Sequence, residues 1–191
     1  MLRNTKEMRG FEIDAIDGTI GRVEGFLFEE RAWIIRYLAT TTGSWPFGKR
    51  LLIATEALED PDRERRMFPV TLTKDQVKSC AEIDWKNPVS RRLESELHEM
   101  FEWFPYWNYT DRKSVSAIGN RPNYSLAEER FNDSFLRRGR ELINLGIMTS
   151  DGELGHTEEL IIDDEDCSVR HIDYLLKYAR TINKSIRLLE V

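Results

Sequence analysis

Apolar and acidic residues alternate through Phe11-Glu12-Ile13-Asp14-Ala15, the pattern of a half-buried strand, and Asp17-Gly18 closes it with a tight-turn dipeptide. Gly21 to Phe28 predicts the returning strand, Glu29-Glu30-Arg31 a polar turn, and Ala32 to Leu38 a strand rich in aromatic and β-branched residues. After a loop from Thr42 to Lys49, Arg50 to Ile53 predicts a further short strand and Met67 to Val70 an edge strand. Short strands at near-regular spacing with glycine-marked turns predict a small closed sheet or barrel, because closure removes exposed edges. Gly21 and Gly25 fall inside the strand pattern, where glycine marks a bulge or a sharp bend.

The pattern then turns helical. Thr73-Lys74-Asp75-Gln76 has capping-box spacing, and Ser90 is placed to cap a second helix. Leu93, Leu97, Met100, Phe101 and Phe104 recur at helical spacing and predict its buried stripe, with Arg91, Arg92, Glu94, Glu96 and Glu99 on the other face. His98 reads as a surface residue of that charged helix. The run from Phe101 to Tyr109 is the densest aromatic patch in the chain. Thr110 to Asn123 reads as a loop, and Ser125 to Glu128 as the capping box of a helix through about Phe131.

Asp17-Gly18-Thr19-Ile20-Gly21 returns as Asp151-Gly152-Glu153-Leu154-Gly155, 134 positions later. The spacing holds without a gap from Leu2/Leu136 to Leu38/Ile172, with Arg3/Arg137, Glu24/Glu158 and Arg36/Arg170 identical. The second copy predicts strands at His156 to Ile162 and Cys167 to Tyr174 around the acidic turn Asp163 to Asp166. A cross-strand ion pair is expected in each copy, Glu24 with Arg36 and Glu158 with Arg170. Nothing in the second copy matches Met67 to Cys80, so it reads as shortened and degenerate.

With 191 residues the chain predicts three regions: a first barrel-like domain at 1–80, a helical, aromatic-rich linker at 81–133, and a second barrel-like domain at 134–191. A domain of about 60 residues buries only roughly 60% of its unfolded surface. The short second copy therefore needs cover, from the first copy or another subunit, and self-association is expected. The net charge of −6 offers no basic footprint for nucleic acid or anionic membranes. No apolar run approaches the roughly 20 residues of a membrane span, so the expectation is a soluble, cytoplasmic protein without membrane insertion. Cys80 and Cys167 are isolated, which suits two small buried thiols in a reducing compartment.

The series Asp17-Gly18, Gly21, Glu24, Trp33 to Leu38, and Trp45 with Gly48-Lys49-Arg50 ahead of an apolar strand closely resembles the PRC-barrel domain. That family is named for the cytoplasmic barrel of the photosynthetic reaction centre H subunit and includes a ribosome maturation factor. Leu72 to Val77, Pro88 to Arg91 and the aromatic cluster to Trp107 resemble the segment that follows the barrel in tandem bacterial members. The resemblance implies a mainly β chain with some α, two small PRC-barrel-like β-barrels, no established catalytic residues and no cofactor, used to hold or adjust other proteins.

Gly43 to Lys49 fits the first seven places of a phosphate-binding loop, but Arg50 stands where Ser or Thr must follow, and a strand replaces the helix. Nucleotide binding is excluded on that mismatch. If Asp164-Glu165 centres the second copy's turn, Glu158 faces His171 and His156 faces Asp173. Those two imidazoles and two carboxylates form a candidate set for a transition metal or acid–base chemistry. A one-residue slip would separate them. Trp45, Phe47, Trp103, Tyr106 and Trp107 are the candidate protein-binding residues, since Trp and Tyr are enriched at interfaces. Phe101 and Phe104 continue the helical stripe, which favours packing for that patch. The expected function is a non-enzymatic adaptor or assembly module that binds another protein. The alternatives are a metal-dependent enzyme using the His156 face and a ribosome-associated assembly factor.

Overall fold

The computed structural model describes residues 1–43, 48–108, 135–150, 152–176 and 187–190. Trp45 and Phe47, the predicted loop from Thr110, the helix predicted from Ser125 and the stretch 177–183 lie outside the described residues. The chain divides into two compact units, one formed by 1–82 with 135–191 and the other by 83–134. Both sequence copies therefore belong to a single unit.

The described residues are mainly β. In the first copy β1 (Leu2–Asn4) leads into a four-residue helix α1 (Thr5–Met8), capped by the Asn4 side chain. Then come β2 (Glu12–Ala15), β3 (Gly18–Glu29), β4 (Ile34–Thr42), β5 (Lys49–Ala54) and β6 (Met67–Pro69). The turn before β3 places Gly18 at φ +113°, a conformation that favours glycine. Helix α2 (Lys74–Ser79) carries the predicted capping box between Thr73 and Gln76. The second copy gives β7 (Leu136–Arg138), β8 (Gly146–Thr149), β9 (Gly152–Asp163), β10 (Val169–Leu176) and β11 (Arg187–Glu190).

Two sheets result. One runs β5-β4-β3-β2-β6, with β7 also on β3, and the other runs β1-β9-β10-β11, with β8 also on β9. Among the described residues neither closes into the barrel expected from the strand spacing. Past β5 the chain meets the segment around β6 only through the isolated bridges Leu58↔Val70 and Asp62↔Met67, so the first sheet stops short of closure.

The sheets are built by exchange. β1 belongs to the first copy in sequence but pairs with β9, at Leu2↔Asp163, Arg3↔Ile162 and Asn4↔Ile161. β7 opens the second copy but pairs with β3, at Leu136↔Glu29, Arg137↔Phe28 and Arg138↔Leu27. Shifting either ladder by 134 positions gives the other. The same holds for β2 on β3 and β8 on β9, down to the bulge after Ile13 and after Ile147. This exchange makes one unit of two copies.

The core is uneven. Ile13, Leu27, Phe28, Tyr37, Leu38, Leu52 and Ile53 of the first copy are at most 2% exposed, whereas the second contributes chiefly Leu160, Ile162, Val169 and Tyr174. Each such side chain stabilises the fold by roughly 1.5–3 kcal/mol, so the shorter copy relies on the longer one for its apolar cover. Gly21 is required by packing, since a Cβ there would sit 2.6 Å from the Thr41 carbonyl oxygen.

The predicted ion pairs are partnered differently. A bulge at Glu24 turns it toward Arg50 (3.0 Å) and the Thr41 hydroxyl (3.0 Å), while Arg36 holds the buried Glu29 at 2.7 Å. Arg170 likewise meets Asp166 (2.7 Å) and Asp163 (3.6 Å) rather than Glu158.

In the other unit, α3 (Arg91–Met100) is capped by the Ser90 hydroxyl, which accepts from the Leu93 amide at 3.2 Å. Its inward face departs in part from the predicted stripe, since Leu97 is buried and Arg92, Glu96 and Glu99 are exposed as expected, but polar residues join the buried side and two apolar ones leave it. Arg91, Glu94, Leu97 and His98 are buried, Met100 is 57% exposed and Phe104 is 59% exposed. The helix ends with Glu102 in the left-handed region (φ 56°), the Trp103 amide bonded to His98 and the Glu102 amide to Glu99.

Candidate functional site

Two places in the molecule concentrate chemistry, one in each unit. The first lies on the second copy's sheet. Glu159 is 3% exposed, and its Oε1 accepts from the Thr5 hydroxyl at 2.6 Å and from Arg9 at 2.9 Å. Asp173, 6% exposed, is its direct cross-strand partner. Burial raises the pKa of Asp173, and the nearby carboxylates of Glu158 and Glu159 raise it further against the opposing charge of Lys6. Arg9 Nε, Glu159 Oε2, Asp173 Oδ1 and His171 Nδ1 are buried without a hydrogen-bond partner among the described residues. Such atoms are costly unless satisfied.

This polarity belongs to one copy alone. At the matching positions of the other copy stand Gly25 for Glu159, Ala39 for Asp173, Gly139 for Thr5 and Ile143 for Arg9. A small and apolar site in one half is a charged, buried one in the other.

The predicted metal face does not assemble as expected. The turn centres on Glu165-Asp166, one residue later than predicted, because the Asp163 amide bonds the Ser168 carbonyl. Bulges at Arg170 and Glu158 shift the ladder again. His171 therefore faces Ile161, Asp173 faces Glu159, and His156 faces Leu175. Among the described residues no group of three or more His, Cys, Asp or Glu side chains is placed to hold a metal ion.

The second place is the aromatic end of α3. Arg91 Nη1 lies 3.2 Å from Glu94 and donates to the Tyr106 hydroxyl at 3.1 Å, and that hydroxyl donates to Glu94. Arg91 also stacks over Trp107, 4.4 Å from the ring centroid, and the His98 ring meets Trp107 edge-on at 4.9 Å. Burial, with the Glu94 charge, pushes the Tyr106 hydroxyl well above the usual phenol range. Tyr106 is thus buried, while Trp103 and Trp107 are half-buried and Phe104 is exposed. His98, read from the sequence as a surface residue, is 2% exposed. The missed signal was the i, i+3, i+7 spacing of Arg91, Glu94 and His98, a polar stripe with the period of a buried face.

A cavity of about 260 Å³ lies beside the stacked rings of Phe28 and Trp33, with Arg137, Glu141 and Leu142 on its wall. That is under the roughly 300–1,000 Å³ of ordinary small-molecule sites. No helix among the described residues is long and apolar enough to cross a membrane. No protein-family model matches the chain, and a search of curated proteins gives no match.

Proposed function

We propose that the chain is a non-enzymatic, protein-binding module of the PRC-barrel type, acting as an adaptor or assembly support. The observation that carries this reading is the surface at the end of α3. Met100 and Phe104 stay more than half exposed beside the half-buried Trp103 and Trp107. The base beneath them is fixed by the buried Arg91, Glu94 and Tyr106 network. Aromatic residues and Met on a rigid support are the composition of interface cores. The barrel assignment draws on the Asp17-Gly18, Gly21 and Trp33 to Leu38 motifs and on the β2 to β5 meander with its bulges. Affinity capture from native lysate tests it, with the wild-type chain and a Met100→Ala/Phe104→Ala variant of equal circular dichroism as baits. A partner held by the wild type and lost by the variant supports the module. Equal recovery by both baits removes this surface from the reading.

A second reading is an activity at the second copy's buried polar residues Glu159, His171 and Asp173, without the predicted His156 and Glu158. It is favoured by the four unpartnered buried atoms around Asp173 and Glu159. Metal analysis of the purified protein and thermal shifts with zinc or manganese test it, and a metal-free protein indifferent to both removes the metal-dependent form.

A further inference from the structure

β2 and β8 are matching strands, 134 positions apart, yet their outer edges differ. β2 is flanked by β3 on one side and, in parallel, by β6 on the other, at Glu12↔Met67, Ile13↔Phe68 and Asp14↔Pro69. Three further bonds extend that edge at 2.9 Å each. The Glu12 amide donates to Arg66, the Val70 amide to Asp14, and the Ile16 amide to Leu72. Among the described strands β8 pairs only with β9.

The burial follows the pairing. Phe11 is 3% exposed and Ile13 fully buried, while their counterparts Leu145 and Ile147 are 48% exposed and half-buried. Met148, where the first copy has Asp14, is 72% exposed. Gly146-Ile147-Met148-Thr149 carries neither charge nor proline, two of the devices by which natural edges avoid pairing.

We infer that the outer edge of β8 is a docking site for an extended, alternately apolar segment of a partner protein, added in parallel as an extra strand. The inference rests on the protein-binding reading above and names a second contact for it. The chain itself shows the chemistry of the occupant. On β2 the capping segment buries Phe68, Val70 and Leu72 at every second position, leaving Met67 and Pro69 half-exposed. The matching groups on β8 are the amides of Gly146 and Ser150 and the carbonyl of Met148. Backbone bonds of this kind supply affinity, and the alternate side chains supply selectivity. A second copy of the chain does not fit as occupant, because its own segment of this type is already seated on its own β2.

The test uses the full chain, isotopically labelled, titrated with a synthetic peptide of this chain's residues 66–72, Arg-Met-Phe-Pro-Val-Thr-Leu, and with a scrambled control. Saturable amide shifts at Gly146 to Ser150, at least tenfold slower hydrogen exchange at Gly146 and Ser150, and no response to the scrambled peptide are expected. Gly146→Pro removes one outward donor and Met148→Lys charges the edge, so each should weaken binding at least fivefold with the β9 resonances unmoved. No shift in β8 at millimolar peptide overturns the inference, as do shifts confined to β2 through displacement of β6. Dilution-dependent shifts at β8 without peptide, together with a dimer mass, identify a second copy as the occupant and also overturn it. If the captured partner is lost by Met100→Ala/Phe104→Ala but kept by Gly146→Pro, this edge is wrong while the protein-binding reading stands.

Discussion

Ile34 and Ser168, 134 positions apart, are antiparallel partners of each other. Their flanking bonds are also counterparts, since the Ile35 amide donates to the Cys167 carbonyl at 2.8 Å and the Val169 amide to the Trp33 carbonyl at 2.6 Å. Trp33 and Cys167 both hold left-handed backbones, at φ 54° and 58°. A position that pairs with its own counterpart marks a local pseudo-two-fold axis between the copies. Around it the exchanged strands β1 and β7 stand as equivalents.

The exchange carries one matching ion pair on each side, Arg3 with Asp164 and Arg137 with Glu30, joined on the β1 side by the Met1 ammonium against Asp163 and Asp164, and the matching pairs differ in burial. Arg3 and Asp164 are 13% and 12% exposed, whereas Arg137 and Glu30 are about half exposed. Arg3→Ala removes a charge-assisted hydrogen bond but leaves Asp164 its contact with the Met1 ammonium, so it is expected to cost about 1.5–3 kcal/mol, while Arg137→Ala costs under about 1 kcal/mol. Chemical denaturation measures both. Hydrogen exchange should locate the first loss in β9, at Ile161 to Asp163, and leave β2 unaffected.

Arg9 is the cation that holds Glu159 in the interior. Arg9→Met should lower stability by about 3–5 kcal/mol, because it leaves a charge buried without its partner. That corresponds to a Tm roughly 6–20 °C lower for a chain of this size. Adding Glu159→Gln to the same chain should recover most of the loss, and thermal unfolding of the single and double variants checks this.

Asp173 gives a dependence on pH with a defined sign. Its folded pKa lies above its unfolded value, so the folded state holds the proton more tightly. Stability is greatest with the carboxyl protonated and falls as pH rises from the ordinary Asp value, about 3.9, through the raised one. Asp173→Asn should therefore unfold at higher temperature than the wild type at pH 7, with the gap closing toward pH 4. Thermal melts across that range decide it.

Glu102 occupies the left-handed position that ends α3, a place glycine fills without strain. Glu102→Gly should stabilise that end by about 1 kcal/mol, and Glu102→Val should destabilise it. Amide exchange at Trp103, whose N–H closes the motif on His98, reports both.

Local elements were legible in the sequence where local chemistry decides them. The Asp17-Gly18 turn, the Thr73 capping box and the Ser90 cap form as their residues predict. The 134-residue spacing recurs in the ladder registers, but which sheet each opening strand joins depends on partners far along the chain, 161 positions for Leu2 and Asp163 and 107 for Leu136 and Glu29, which no local pattern records. The metal face failed at the register, where one residue of turn placement and two bulges separated His156 from Asp173. The face of α3 was in part misread because hydrophobicity outranked period. Arg91, Glu94 and His98 are buried by pairing with one another's neighbours, Tyr106 and Trp107, and a count of apolar positions is blind to that.

The reciprocal placement of β1 also sets a timetable. Leu2 cannot meet Asp163 until the chain between them exists. At about 5–20 residues per second of synthesis, β1 waits roughly 8–30 s for its partner. The meander from β2 to β5 has its partners at hand much earlier, so it is the part free to form during synthesis. β1 instead has no partner strand through that interval, and unpaired strand amides and carbonyls are a template for association with other chains.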